Sequence, residues 1–304
     1  MTTLPRTPHA AAAIALSALA TVCLAARADE PAPNAGMRYV SAGAQADSQH
    51  NQEALAVASL PVGQHAWVQA GGGKSRSDPL ASGYRPGIVT GAVGVAGRGV
   101  QWTVSASHRA DANRYRQTDW GSSLDWRHGG GNVGLDVSHR QQQASGVVAM
   151  SNALGGSTAA PTRARVSGNG VGVHGGLQVS EHVSVYGSAT RSHYRSSTEQ
   201  VGTTAPGGLL TRVLPGAPSL VNIDEVALNR SAQVGATYRW SKVAISGEYT
   251  TGQVYDGEGA IHSVGLKAAI DVAPGWRVAP GIGRGSSDEG GHADFASLSA
   301  TYGW

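Results

Sequence analysis

Charged side chains occur at intervals along segments that are otherwise rich in glycine, serine, threonine and alanine. Acidic and basic groups in such a setting can pair with one another or contact a polar ligand. Two groups place opposite charges on adjacent segments: Asp125, Arg127 and Asp136, and Lys267, Asp271 and Arg277. The full set is Arg109, Asp125, Arg127, Asp136, Arg140, His174, Arg239, Glu248, Lys267, Asp271 and Arg277.

Two smaller groups contain residue types that are used in hydrolysis. His182 and Ser184 could supply a base and a nucleophile. Asp288, Glu289, His292 and Asp294 offer acids beside a histidine, and their oxygens could also hold calcium loosely. Whether either group can act depends on the elements that position it.

The elements are segments in which apolar and polar residues alternate. In 99–109 and 260–272 the apolar residues occupy every second position, which is the period of a β-strand with two different faces. A helix would scatter them around its circumference. About fourteen such segments are found: 37–45, 53–60, 64–73, 88–97, 99–109, 119–127, 132–141, 166–179, 182–194, 228–240, 242–252, 260–272, 275–284 and 293–304.

The last segment alternates to the C-terminal residue, where Leu298, Tyr302 and Trp304 share one face. It resembles the closing strand of Gram-negative outer-membrane β-barrels, in which a terminal aromatic residue marks the chain for the barrel-assembly machinery. The resemblance implies a transmembrane antiparallel up-and-down β-barrel in the outer membrane of a Gram-negative bacterium. The first two segments alternate weakly, so the strand number is predicted as fourteen, with twelve as the alternative; both are even, as such barrels require.

Connection lengths favour the same architecture. Connections after even-numbered segments are short, and those after odd-numbered segments are mostly longer, which is the asymmetry of barrels with periplasmic turns and long outer loops. The tryptophans are predicted to lie at two heights. Trp120 lies near the outer rim and the others lie near the periplasmic rim, as expected for aromatic residues at a membrane–water boundary. The predicted girdle residues are Trp102, Trp120, Trp126, Trp240, Trp276 and Trp304, while Trp67 has ambiguous parity.

The N-terminus resembles a secretory signal peptide. Arg6 precedes an apolar run that is too short to span a bilayer, which takes about 20 residues. We therefore expect a signal peptide at 1–28, a short segment at 29–36 and the barrel at 37–304. Cys23, the only cysteine, would be removed with the signal, and the net charge of +3 would fall to about +1 because Arg6 and Arg27 are lost. Nucleic acid is not an expected partner.

By their positions in the alternating segments, these charged residues face inward. Facing lipid would cost each charge roughly 2–4 kcal/mol near the midplane. These charges could be purely structural pairs, or they could select solutes. Two long outer connections, 143–165 and 195–227, are predicted as loops. By hypothesis part of the second constricts the mouth, with Arg212, Asp224 and Glu225 as gate charges. The alternatives are a flexible loop, or a contact to lipopolysaccharide or to another protein.

Enzyme activity is not expected. His182 and Ser184 have inward parity beside a periplasmic turn, whereas the resembled outer-membrane phospholipases place such a pair facing lipid near the outer leaflet. The acids at 288–294 lack the opposing pair that omptin-type proteases use. We expect a monomeric, porin-like channel for small hydrophilic solutes, without cofactor or metal. The alternatives are an export barrel for a polysaccharide or extended polypeptide, or an adhesive barrel; lipid and lipopolysaccharide are expected neighbours.

Overall fold

Fourteen antiparallel strands close into one barrel. The computed structural model describes residues 38–48, 51–76, 86–111, 115–151, 157–200, 228–254, 259–288 and 292–304. The strands are β1 (Tyr39–Asp47), β2 (Gln52–Val62), β3 (Ala66–Arg76), β4 (Gly87–Gly97), β5 (Val100–Ala110), β6 (Tyr115–His128), β7 (Gly131–Ser151), β8 (Ser157–Gln178), β9 (Val183–Gln200), β10 (Leu228–Trp240), β11 (Val243–Val254), β12 (Ala260–Ala273), β13 (Trp276–Ser287) and β14 (His292–Gly303).

Each strand pairs with its sequence neighbours, and β1 closes the barrel against β14 from Tyr39↔Gly303 to Asp47↔Phe295. The predicted fourteen-strand antiparallel barrel is confirmed. The twelve-strand alternative is wrong, because the weakly alternating β1 and β2 pair with each other and with the rest of the wall. Within the described ranges, no helix is long and apolar enough to cross a membrane.

Tight turns join the strands at one end, which we call the short-turn end; the opposite end is the long-loop end. Arg98 and Gly99 join β4 to β5 with φ of 51° and 80°. Two consecutive positive φ values are the signature of a type I′ turn, whose twist matches that of the flanking strands. At the β12–β13 turn, Pro274 precedes Gly275, whose φ is 76°, and a Cβ there would lie 2.4 Å from the carbonyl oxygen of Gly303.

The outward face of the barrel is apolar. Val93, Leu135, Val171, Val234 and Ile282 are all more than half exposed. So large a continuous apolar surface is unfavourable in water and requires an apolar surrounding.

This apolar band has a consistent height. The first ionisable outward side chain lies eight residues from the short-turn end of β3, at Lys74. The distance is ten residues on β10, at Arg230, and nine on β14, at Asp294. At a rise of about 3.3 Å per residue and a tilt of about 40°, these spacings correspond to a band roughly 20–25 Å tall, close to that of membrane barrels.

The predicted loop at 143–165 is wrong. Residues 143–151 extend β7 and residues 157–165 extend β8, and the two strands pair from Gly131↔Leu177 to Ser151↔Ser157; residues 152–156 lie outside the described residues. The predicted loop at 195–227 also begins within a strand, because β9 continues to Gln200; residues 201–227 lie outside the described residues. Beyond the apolar band the outward positions need not be apolar, so alternation no longer identifies a strand there.

Large inward rings lie flat against the wall, each over a glycine directly opposite on the neighbouring strand. Trp67, only 4% exposed, faces inward onto Gly94, where a Cβ would lie 2.4 Å from the indole Cε2 and Nε1. The absent side chain of each glycine makes room for a ring that would otherwise project into the lumen. The other pairs are His174 on Gly134, Tyr194 on Gly168, Tyr186 on Gly235 and Phe295 on Gly283.

Gly94→Ala is expected to lower the free energy of unfolding by about 1–3 kcal/mol, because the new methyl group must displace the Trp67 ring. Gly247→Ala is the matched control, since nothing lies within 4 Å of a Cβ built there. Urea unfolding in detergent, followed by the mobility difference between boiled and unboiled protein, measures both. Equal losses in the two variants would contradict the ring-on-glycine account.

Candidate functional site: the lumen

The inward face carries every one of the charged residues that the sequence predicts for it. The structure brings most of them into pairs or hydrogen-bond networks at different heights along the barrel. The barrel wall itself supplies small residues between them. The candidate site is therefore the lumen, and its properties follow from how these charges are compensated.

His174 on β8 bridges two acids on β6 and β7. Its Nε2 lies 2.7 Å from Asp125 Oδ1 and its Nδ1 lies 2.6 Å from Asp136 Oδ2. Ser123 Oγ donates to Asp125 Oδ2 over 3.0 Å. With both carboxylates ionised, both ring nitrogens donate, which is the imidazolium form of histidine. One cation thus holds two carboxylates on adjacent strands, and Gly134 gives the ring its place against the wall.

A second network lies nearer the long-loop end. Arg140 Nε donates to Asp119 Oδ1 over 2.7 Å, and Gln117 Nε2 donates to Asp119 Oδ2 over 2.6 Å. The Tyr115 hydroxyl donates to Gln117 and accepts from Gln142. Gln117 is fully buried, although it points inward. Side chains therefore fill this part of the lumen next to β6 and β7.

A third pair joins two strands that are not neighbours in the wall. Arg109 on β5 lies 3.4 Å from Glu53 on β2, and the two side chains are 14% and 8% exposed. These strands are separated in the wall by β3 and β4. The pair extends over the inward side chains of the intervening strands, including Ser75 and Ile88, which are both buried. We call the Arg109–Glu53 pair the strut; it narrows the lumen on this side.

Glu248 on β11 is held by neutral donors. Gln233 Nε2 donates to Glu248 Oε2 over 3.0 Å, and the Tyr186 hydroxyl donates to the same oxygen over 3.4 Å. The carboxylate stem lies over Gly265, where a Cβ would come within 3.3 Å of it.

Positive charge gathers near the short-turn end. Arg239, Lys242, Lys267 and Arg277 line one cavity with a single acid, Asp271. The cavity measures about 50 Å³ and also contains serine and threonine hydroxyls, enough for a few water molecules. Arg277 Nε donates to Asp271 Oδ1 over 2.8 Å. Within the described residues, neither Lys267 nor Arg239 forms a salt bridge. We call this group the basic cavity.

The predicted girdle residues lie on the outer surface, where each is close to or more than half exposed. Tyr302 contacts Trp276 and Trp304, with ring centroids 4.9 and 5.7 Å apart. Leu298 continues the same outward row and is 55% exposed. The individual exposures are Trp102 50%, Trp120 55%, Trp126 57%, Trp240 70%, Trp276 47% and Trp304 54%.

Other predicted residues stay apart or are not described. Arg212, Asp224 and Glu225 lie outside the described residues. Arg127 faces inward on β6 near Asp125. His182 lies in the turn before β9 and Ser184 on β9, where Ser184 pairs with Thr237 and Gln178.

Sequence reasoning missed two acids of the lumen, Glu53 and Asp119. Asp119 stands at the first position of a predicted segment with inward parity, so its parity was a usable signal. Glu53 begins a weak segment, and its partner comes from a strand that is not adjacent. Only the closed barrel brings the two together.

His174→Gln is expected to lower the free energy of unfolding by about 1–3 kcal/mol, because Asp125 and Asp136 would then face one another without a cation. Arg277→Gln is the control: its pair with Asp271 is 42% and 46% exposed, so the loss should stay below about 1 kcal/mol. Urea unfolding in detergent at neutral pH measures both. Similar losses would show that the bridging histidine contributes no more than an exposed pair.

No protein-family model matches the sequence, and no curated protein matches it. The chain is similar to the translocator domain of the autotransporter NalP from Neisseria meningitidis, with a TM-score of 0.53 at 12% identity, over 95% of this chain and 96% of that one. It is also similar to the CymD monoaromatic hydrocarbon channel, with a TM-score of 0.57 at 11% identity, over 88% of each chain. Identities this low establish the fold alone: the chain has the closed antiparallel β-barrel fold that these outer-membrane proteins share.

Proposed function

We propose that this protein is a channel in the outer membrane of a Gram-negative bacterium, through which small hydrophilic solutes diffuse passively. The long-loop end faces outward and the short-turn end faces the periplasm. The observation that carries this proposal is the contrast between the two faces of the wall. The outward face is an apolar band, while the inward face holds paired charges, amides and hydroxyls around a lumen.

The size of the solute follows from the filling of the lumen. The strut joins β2 to β5, and the Gln117 network fills space beside β6 and β7. The rings that lie on glycines keep the largest inward side chains close to the wall. A lumen of this kind suits small solutes and opposes the passage of an extended polymer, which was the main alternative suggested by the sequence.

The chemistry of the solute follows from the polarity of the inward face. The similar CymD structure is a channel for monoaromatic hydrocarbons, but here the inward side chains are largely polar or charged. A hydrocarbon gains little free energy when it leaves water to contact such a polar surface. A hydrophilic solute can exchange its water for amide, hydroxyl and charged partners. Hydrophilic solutes are therefore the better match.

The basic cavity would give the channel a weak preference for anions. Four cations face one acid there, whereas on β6–β8 His174 and Arg127 offset Asp125 and Asp136. Because the walls carry charge of both signs, the selectivity is expected to be modest.

Lys267→Gln and Arg239→Gln should each shift the reversal potential of the channel towards cation selectivity, because each removes one positive charge from the basic cavity. Lys74→Gln is the control, since it removes one positive charge from the outward face of β3. Planar-bilayer recordings under a potassium chloride gradient measure the shift. A reversal potential that is unchanged in both cavity variants, or changed equally in the control, would contradict a role for the basic cavity.

The double variant Glu53→Ala/Arg109→Ala should raise the single-channel conductance, because truncating both partners of the strut widens the lumen. Arg284→Ala/Asp294→Ala truncates an equivalent pair on the outward face and should leave the conductance unchanged. An unaltered conductance in the first variant would mean that the strut does not border the conduction path.

A further inference from the structure

Five arginines face outward near the long-loop end of β6–β10, just above the apolar band. All five are exposed. Register places them side by side: Arg191 is the partner of Arg230, while Arg116 and Arg165 both pair with Gln143. Arg195 lies four residues beyond Arg191 on the same face of β9. We call Arg116, Arg165, Arg191, Arg195 and Arg230 the outer basic patch.

Among the side chains that the structure describes, no acidic side chain on the outward face of β6–β10 balances the charges of this patch. Arg191 and Arg230 stand directly opposite one another on neighbouring strands, an arrangement that is destabilising for like charges. Among the outward strand positions of β6–β10 whose side chains the structure describes, none is aspartate or glutamate. An external anion between the two guanidinium groups would remove the repulsion.

The opposite side of the same rim is different. On β13 and β14, Arg284 donates to Asp294 through Nε at 2.5 Å and through Nη2 at 2.9 Å. On β12, His262 lies 3.5 Å from Asp288. The outward arginine there is compensated by an acid of the chain itself. The patch is thus a local feature of β6–β10 and not a general property of the rim.

The surface just below the patch identifies the kind of partner. Val173 and Leu135, register partners on β8 and β7, lie two residues nearer the short-turn end than the level of Arg191, and both are more than half exposed. Trp120, at the same height as His139, marks the boundary between the two zones. Apolar side chains below and guanidinium groups above match an amphiphile whose acyl chains lie beside phosphate groups.

We infer that the outer basic patch binds the phosphate groups of lipopolysaccharide in the outer leaflet, with Arg191 and Arg230 sharing one phosphate. This inference rests on the proposed membrane orientation, which places the long-loop end in the outer leaflet. All five cations are arginines, whose planar fork matches a phosphate in two-point contacts. The acyl chains of the lipid contact the apolar band below.

The test compares two double variants that remove the same charge from different parts of the rim. Arg191→Gln/Arg230→Gln acts within the patch, and Lys74→Gln/Arg284→Gln is the matched control. Binding of purified lipopolysaccharide to each detergent-solubilised protein is measured by native mass spectrometry. Because two charge-assisted contacts are lost, the patch variant should bind roughly tenfold more weakly or worse than wild type. The control should stay within about twofold, since its charges lie outside the patch.

Two further ligands identify the source of the phosphate. Dephosphorylated lipopolysaccharide should bind as weakly to wild type as intact lipopolysaccharide binds to the patch variant. Sodium pyrophosphate at the same concentration should not compete with intact lipopolysaccharide. Equal weakening in the two double variants, no weakening in either, undiminished binding of the dephosphorylated lipid, or full competition by pyrophosphate would each overturn the inference.

Conductance of the same samples separates this inference from the proposed function. A wild-type protein that conducts but binds lipopolysaccharide no better than the patch variant would overturn the inference alone. A protein that binds lipopolysaccharide through the patch but never conducts would overturn the channel proposal and leave the inference standing.

Discussion

Closure of the hydrogen-bonded wall is the constraint on which the rest of the structure depends. Pairing of β1 with β14 leaves the barrel without an open sheet edge, so the strand backbone finds its partners within the wall. In apolar surroundings a polar backbone group without a partner costs several kcal/mol, and this is why a sheet must close there. Once the wall is closed, alternate side chains point out and in, and each face can have its own chemistry.

Much of the fold could be predicted because the two faces of the wall appear in the sequence as an alternation of apolar and polar residues. Period-2 patterns located all fourteen strands. The extensions of β7 over 143–151 and of β8 over 157–165 were missed, since strands beyond the apolar band no longer need an apolar face. Parity placed residues such as Lys267 and Asp271 on the inward face, but it could not say which charges meet. His174 joins acids from two other strands, and Arg109 meets Glu53 across two intervening strands; both contacts depend on exact register and closure.

The ring-on-glycine pairs show how packing and function are linked in this barrel. Five large inward rings have a glycine as a cross-strand partner, so these rings pack against the wall and do not project into the lumen. The same device holds His174 where it can bridge Asp125 and Asp136. A glycine opposite an aromatic residue can be identified from the sequence only after the register is known.

The most direct test of an apolar outside and a wet inside is to label single cysteines along β12. Cys23 is the only cysteine of the chain, so a Cys23→Ser background leaves each introduced thiol as the sole target. In the protein embedded in lipid vesicles, a charged, membrane-impermeant thiol reagent should modify cysteines at positions 263, 265 and 267 and spare those at 264 and 266. Equal modification at odd and even positions, or modification of the even positions alone, would contradict the account.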